Sequence, residues 1–203
     1  MGYSLNMNQS RRKLKNAILF FAKETHNLNT TKLSKLLHYF DFEHFKITGF
    51  PSIGLKYYAF ECGPVPKNFW LEIKDGMVPQ DFQDAINVHQ TNNDYDQEYR
   101  ELRFTAKKSP DMTVFSPRET KILKKLAEIY KNATARQLSE ISHTADDPWD
   151  KVYNTPTPSA GKNALIGYEL ALEPTTGTKR IQAKEQIKEF FTVEKKFAMS
   201  PTR

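Results

Sequence analysis

The chain has 203 residues with a formal net charge of +6, and 27% of its residues are charged while 38% are hydrophobic. These values are typical of folded globular proteins and exclude the disordered and collagen-like classes. The longest apolar run, from Ala17 to Ala22, is too short to span a bilayer, and the N-terminus lacks the charged-then-apolar order of a signal peptide, so we expect a cytoplasmic protein.

Two amphipathic helices are predicted first. Apolar residues at helical spacing predict a helix from about Gln9 to Thr25. A second helix should begin at a cap formed by Thr30 and Thr31 and should end at the Gly49-Phe50-Pro51 sequence. We expect the two helices to pack together as a helical hairpin.

The middle of the chain predicts a small antiparallel sheet. Aromatic residues favour a strand between Gly54 and Val65, which the Gly63-Pro64-Val65-Pro66 sequence should end because proline cannot donate to a ladder. A short helix follows at about 68–74. The segment 87–98 is interpreted as a mobile polar loop, and 99–104 alternates like a half-buried strand.

Two capping boxes lie in the region from 116 to 137. Ser116 to Glu119, with proline at the first helical position, predicts a helix through Tyr130, and Thr134 to Gln137 predicts a second one. Asp147-Pro148-Trp149 should close this region. Further helices are expected near 164–172 and 183–195, around a turn at Gly177. The prediction is one mainly helical α+β domain over 1–203, with 155–203 as a helical C-terminal extension.

The residues give little support to several chemical functions. His38, Asp41 and His44 are spaced three apart, but the two histidines should point about 120° apart on a helix, which disfavours a metal site. Cys62 is the only cysteine and lacks a Cys-His signature, so it is interpreted as a buried thiol. The motifs of hydrolases and nucleotide-binding proteins are absent. We expect no catalytic residue, metal or cofactor.

A helix-turn-helix that binds DNA is a further alternative. The two capped helices have the required order, and Arg136 could face a base. Glu140, Asp146 and Asp147 would lie close to the phosphates, so a packed helical pair is favoured and a nucleic-acid partner is not expected.

Three motifs indicate a family. The block Lys32 to Gly49 resembles the signature helix of the Panacea-domain family, the SocA-like antitoxins. Gly63-Pro64-Val65-Pro66 is similar to the family's Gly-Pro-Val segment, and Ser142-His143 followed by Pro148-Trp149 is similar to its second signature. The resemblance covers about 30–150.

The resemblance implies an antitoxin that binds a cognate toxin encoded beside it, in systems associated with phages or prophages. One branch delivers its toxin to a protease, so a proteolytic adaptor is an alternative. The family positions carried over are Leu36, Leu37, Asp41, His44, Gly49, Gly54, Tyr57, Gly63, Pro64, Val65, His143, Pro148 and Trp149.

Physical chemistry suggests mainly structural roles for these positions. Gly49 can take a positive φ at the helix end, and Pro64 stiffens the strand exit. Asp41 and His44 are expected to hydrogen-bond the Gly63 loop.

The toxin-contact surface should lie elsewhere, on exposed aromatic anchors. The candidates are Tyr58, Phe69, Trp70, Trp149, Phe190 and Phe191. If its segment is a strand, Tyr58 points away from Tyr57 and is the more testable of the two. No membrane partner is expected.

Overall fold

The computed structural model describes residues 7–92, 100–143, 147–155 and 161–172. Within these ranges the helices are α1 (Met7–Glu24), α2 (Thr30–Thr48), α3 (Lys67–Ile73), α4 (Pro117–Tyr130), α5 (Ala135–Ser142) and α6 (Pro148–Tyr153). The strands are β1 (Tyr57–Phe60), β2 (Gly63–Pro66), β3 (Ile86–Asn92), β4 (Arg100–Ala106) and β5 (Leu165–Ile166). All strand pairs are antiparallel, which confirms a mainly helical α+β fold with a small antiparallel sheet.

Helix α2 lies at the centre of the fold, in contact with α1, α4, α5 and β2. Its residues from Lys32 to His38 are all buried, polar ones included. The predicted cap is off by one residue, because the Asn29 side chain, rather than Thr30 or Thr31, accepts a 2.8 Å hydrogen bond from the Lys32 amide. Asn29 is extended and therefore has the geometry of a cap.

The predicted packing of α1 on α2 is confirmed, and α4 contacts both helices. The apolar face of α1 that the sequence predicted is fully buried. Both predicted capping boxes are present, with Ser116 and Glu119 at the start of α4 and Thr134 and Gln137 at the start of α5. Local signals thus placed these helix starts correctly.

Strand β2 corrects the prediction that Gly63 to Pro66 ends the strand. This segment is itself a strand, paired with β1 across the two-residue turn at 61–62. It lies at the edge of the sheet, whose order is β2-β1-β5. Ala59 lies opposite Pro64, and its amide and carbonyl bond to Ala164 and Asn163 on the other side. The Ala59 backbone thus forms no hydrogen bond with β2 at this position. The missing N–H of Pro64 therefore does not interrupt the ladder.

The second ladder corrects the predicted polar loop at 87–98 for residues 87–92, and residues 93–98 lie outside the described part of the chain. Residues 86–92 form β3, which pairs with β4 over seven residues. Ile86 is buried and Val88 is partly buried, so the strand has an apolar face despite its polar composition. The Phe104 amide also bonds the Leu28 carbonyl, which fastens this ladder to the α1–α2 connection. The predicted strand at 99–104 is confirmed by β4.

The last described segments differ from the prediction. Pro148 begins helix α6 instead of closing the region, because proline fits the first turn of a helix. The predicted helix at 164–172 is wrong: the segment forms β5 and a short 3-10 helix from Tyr168 to Ala171. The expected turn at Gly177 and helix at 183–195 lie outside the described residues. No helix in the described part of the chain is long and apolar enough to cross a membrane.

Candidate functional site

The two signature segments, 36–65 and 143–149, meet at the β1–β2 turn. Helices α2 and α5 both contact β2, and α6 contacts β1. The indole nitrogen of Trp149 donates a 2.8 Å hydrogen bond to the carbonyl of Phe60, just before the turn. Residues that are distant in sequence therefore form one connected region.

Lys35 joins α2 to this turn, and the sequence analysis did not single it out. Its side chain is buried, and its ammonium donates a hydrogen bond to the carbonyl of Cys62. The Ser139 hydroxyl donates to the same carbonyl at 3.2 Å. Gly63 has φ of +104°, and a Cβ there would overlap the Lys35 ammonium and lie 2.7 Å from the Ser142 hydroxyl. This close approach explains why glycine occupies the position.

A stack of three rings lies behind the turn. His143 stacks on Trp149 with ring centroids 4.0 Å apart, and Trp149 stacks on Tyr153 at 4.5 Å. Burial lowers the pKa of His143, and the nearby Lys35 lowers it further. The neutral imidazole therefore acts as a flat packing surface for the indole.

Asp41 fixes the loop that leads into β1. Its carboxylate accepts hydrogen bonds from the amides of Ile53 (2.6 Å), Gly54 (3.3 Å) and Leu55 (3.2 Å). The Tyr57 hydroxyl donates a fourth bond at 3.0 Å. Burial raises the pKa of Asp41, and these four hydrogen bonds oppose that effect. The predicted bond to the Gly63 loop is wrong for Asp41, because its donors come from residues 53–57 and from Tyr168, whose hydroxyl lies 3.2 Å from Oδ2.

The prediction for His44 is wrong in the same way. Its Nδ1 donates to the carbonyl of Phe50 at 2.7 Å, so it fastens the end of α2 to the next turn. Gly49 has φ of +76°, and its amide donates to the Phe45 carbonyl. Gly49 is therefore the left-handed helix cap that the sequence predicted.

Lys32 holds two connections together. Its ammonium donates to the carbonyls of His26 (2.9 Å), Lys131 (3.1 Å) and Ala133 (2.8 Å). These acceptors lie on the α1–α2 and α4–α5 connections. Burial lowers the pKa of Lys32 to about 8. The two buried lysines of α2, Lys32 and Lys35, thus hold chain turns in place by donating hydrogen bonds to backbone carbonyls.

The residues considered as metal ligands or nucleophiles have other environments. His38 packs against the rings of Phe42 and Tyr57, with centroids 4.1 and 5.2 Å away. Within the described ranges, no group of three or more His, Cys, Asp or Glu side chains is arranged to hold a metal ion. The interpretation of Cys62 as a buried thiol is wrong, because it lies exposed at the β1–β2 turn.

The predicted contact residues fall into three groups. Phe69 and Trp149 are 3% and 4% exposed, so they are wrong as exposed anchors: both side chains belong to the core. Tyr58 and Trp70 are partly exposed and stay candidates. Phe190 and Phe191 lie outside the described residues.

Tyr58 belongs to a partly exposed apolar surface of the three-stranded sheet. Tyr57 points into the core while Tyr58 points away, as alternation predicts. Tyr58 lies opposite both Val65 and Leu165, and Phe60 shares its side of β1. We call this surface the outer face, formed by Tyr58, Phe60, Val65 and Leu165. The Trp70 ring lies 6.0 Å from that of Phe60, at its margin.

The helix pair α4–α5 has no clear base-contacting side chain. Arg136 is highly exposed and forms an ion pair with Glu140 at 3.1 Å. A side chain paired with a carboxylate must break that bond before it can reach a phosphate or base.

Lys35 gives the folding stability a predictable pH dependence. Burial lowers its pKa to about 7 in the folded state, against 10.5 for an ordinary lysine. Between these values the unfolded chain binds more protons than the native state, so stability rises with pH. We expect the free energy of unfolding to increase by about 2 kcal/mol between pH 7.5 and 9.5 because of Lys35.

Urea denaturation at several pH values measures this effect. The chosen window lies above the titration of ordinary histidine and below that of ordinary tyrosine. Lys35→Met should remove about 2 kcal/mol of the increase and leave the contribution of Lys32. Parallel stability curves for the two proteins would contradict a lowered pKa at Lys35.

A family model described as "Antitoxin SocA-like, Panacea domain" matches residues 33–150. These residues run from α2 into α6 and include the Lys35–Gly63 contact, the Asp41 loop and the His143–Trp149 stack. No curated protein and no solved structure matches the chain.

Proposed function

Because the chain belongs to the family of SocA-like antitoxins with a Panacea domain, we propose that it neutralises a cognate toxin in the cytoplasm by binding it directly. The contact surface in this proposal is the outer face, with Tyr58 and the neighbouring Trp70 as anchors.

The outer face carries this proposal because it differs from the rest of the signature region. Lys35, Asp41 and Trp149 are buried and bonded internally, which is typical of residues that maintain a fold. The outer face instead keeps aromatic and aliphatic side chains in partial contact with solvent. Aromatic side chains on such a patch are frequent anchors of protein interfaces.

Co-expression with the product of the neighbouring gene tests the proposal. We expect the chain to restore growth and to co-purify with that product. Tyr58→Ser should weaken the purified complex about 30-fold, the effect of losing one aromatic anchor. Met77→Ser is the control, because Met77 is a 66% exposed apolar residue outside the outer face. A harmless neighbour that forms no complex would contradict the proposal.

The proteolytic adaptor is distinguished by the half-life of the toxin in the same cells. Direct neutralisation leaves the toxin abundant and bound, whereas delivery to a protease shortens its half-life when the chain is present. A DNA-binding regulator would instead show DNA affinity that falls steeply with salt concentration, with or without the toxin.

A further inference from the structure

The solvent-exposed side of α4 is strongly basic. We call its five exposed cations the basic face: Arg118, Lys121, Lys124, Lys125 and Lys131, the last of which caps the helix. At about 100° per residue these positions fall within an arc of about 140°, and they extend over about 20 Å of the helix axis. Of the two glutamates of α4, Glu119 is buried and Glu128 lies among the cations. Positive charge thus exceeds negative charge on this side by four.

The basic face is not neutralised by the part of the chain that the structure describes. None of its five side chains forms an ion pair or a hydrogen bond with those residues, and Glu128 pairs with none of them. Exposed cations on other helices do have acidic partners. Arg12 of α1 lies 3.8 Å from Asp111, and Arg136 of α5 lies 3.1 Å from Glu140. The positive charge of α4 is therefore available to an anionic partner.

The arrangement of these charges is unfavourable for the helix by itself. Lys121 lies three positions after Arg118 and four before Lys125, and like charges at these spacings repel each other. Arg118 also lies in the first turn of α4, where the helix dipole disfavours a cation. A polyanion that binds the basic face relieves this repulsion, which makes binding more favourable.

The composition of the basic face indicates the class of partner. Tyr130, the only aromatic residue of α4, is buried, whereas protein interfaces are anchored by exposed aromatic residues and are depleted in lysine. Single-stranded nucleic acids are also bound by aromatic side chains, on which their bases stack. Lysine instead provides a point charge that contacts phosphates and does not read bases. The face therefore fits the backbone of a duplex.

We propose that the basic face binds the phosphate backbone of duplex DNA without sequence preference. A DNA duplex carries one negative charge per about 1.7 Å of its axis, so the two charge distributions are complementary over the whole length of α4. Domains that bind duplex RNA span about 16 base pairs, which is much longer than this face. The interaction differs from that of a helix-turn-helix because it needs no base contact. It goes beyond the proposed function and does not depend on a toxin.

Segments of the chain outside the described residues are the rival occupants. Residues 173–203 contain seven Lys and Arg against four Asp and Glu, so their net charge is also positive and is not complementary to the basic face. Residues 93–98 are acidic, with Asp94, Asp96 and Glu98. If this acidic segment covered the face, removing the lysines of α4 would break internal ion pairs and destabilise the protein.

Fluorescence anisotropy with two labelled 20-base-pair DNA duplexes of unrelated sequence tests the proposal. We expect the full chain to bind both duplexes at 50 mM salt, with affinities that differ by less than about 3-fold. The logarithm of the binding constant should fall with the logarithm of salt concentration with a slope of about −4, the value for four to five neutralised phosphates. No binding at 50 mM salt, or a preference above about 100-fold for one duplex, would overturn the inference.

A triple variant locates the contact on α4. Replacing three lysines of the basic face should weaken DNA binding about 100-fold and reduce the slope to about −1: Lys121→Gln, Lys124→Gln and Lys125→Gln. Arginine at the same three positions should preserve both values. The matched control makes the same change of net charge at three exposed lysines on other segments: Lys74→Gln, Lys107→Gln and Lys108→Gln. Equal losses in the two glutamine variants would assign binding to net charge alone and overturn the inference.

Thermal unfolding and toxin binding separate the rivals. The α4 glutamine variant should unfold at the same temperature as the unaltered chain or slightly above it, because repulsion is relieved. A decrease of more than about 3 °C would assign the face to the chain's own acidic segment and overturn the inference. The variant should also bind the co-expressed toxin as the unaltered chain does. If it bound DNA normally but lost the toxin, the basic face would be a protein contact and the inference would fail. If the unaltered chain bound DNA but no toxin, the proposed function would fail and this inference would stand.

Discussion

Gly63→Ala is expected to destabilise the protein by about 3–4 kcal/mol, measured by urea denaturation at pH 7. The left-handed backbone at φ of +104° disfavours a side chain by about 1–2 kcal/mol. The new methyl group would also overlap the Lys35 ammonium. Because Lys35 is buried, moving it leaves a polar group without its acceptor, which costs about 1–3 kcal/mol.

Two controls separate the cost of a side chain on the left-handed backbone of Gly63 from the cost of its overlap with Lys35. Gly49 has φ of +76° but nothing within 4 Å of an added Cβ, so Gly49→Ala should cost only about 1–2 kcal/mol. In a Lys35→Met background, Gly63→Ala should cost less than in the unaltered chain, because the ammonium is gone. If both glycine variants lost the same stability, the contact with Lys35 would contribute nothing and the explanation would be wrong.

Local sequence signals predicted the helices whose ends are marked by capping residues. The box from Ser116 to Glu119 places hydrogen-bond acceptors at the first turn of a helix, and it was found as predicted. Gly49 was likewise predicted as the end of α2. Such signals depend only on residues a few positions apart, so a single sequence is enough to identify them.

The strands were predicted less well, because a strand depends on pairing with another segment and local sequence signals do not identify that segment. Pro64 is compatible with β2 only because β2 is an edge and Ala59 bonds to the opposite side. The polar segment of β3 is ordered by its ladder with β4. Propensity alone favoured a loop in that case, and tertiary pairing decided the outcome.

The sequence analysis also did not predict that Lys32 and Lys35 of the candidate site are buried. Lys32 and Lys35 lie off the helix face that carries Leu33, Leu36, Leu37 and Phe40, and on a surface helix they would face solvent. They are buried because α1, α4, α5 and β2 surround α2 on several sides. A helix whose polar and apolar residues are both buried lies at the centre of a fold. The sequence of one helix does not show how many other elements surround it.

Asp41→Ala is expected to destabilise the protein by about 3–5 kcal/mol in the same urea assay. The substitution leaves three backbone amides and the Tyr57 hydroxyl without their acceptor in a buried site. Each unsatisfied group costs about 1–3 kcal/mol, and water that enters the space left by the carboxylate recovers part of this. A loss below about 1 kcal/mol would contradict the role of Asp41 as the anchor of this loop.

Asp41→Asn provides the matched control. The asparagine oxygen can still accept from Ile53 and Gly54, whereas its amide group faces the Leu55 amide, so we expect a smaller loss of about 2 kcal/mol. If Asp41→Asn lost as much stability as Asp41→Ala, the oxygen that asparagine keeps would contribute nothing to holding the loop, and the explanation would be wrong.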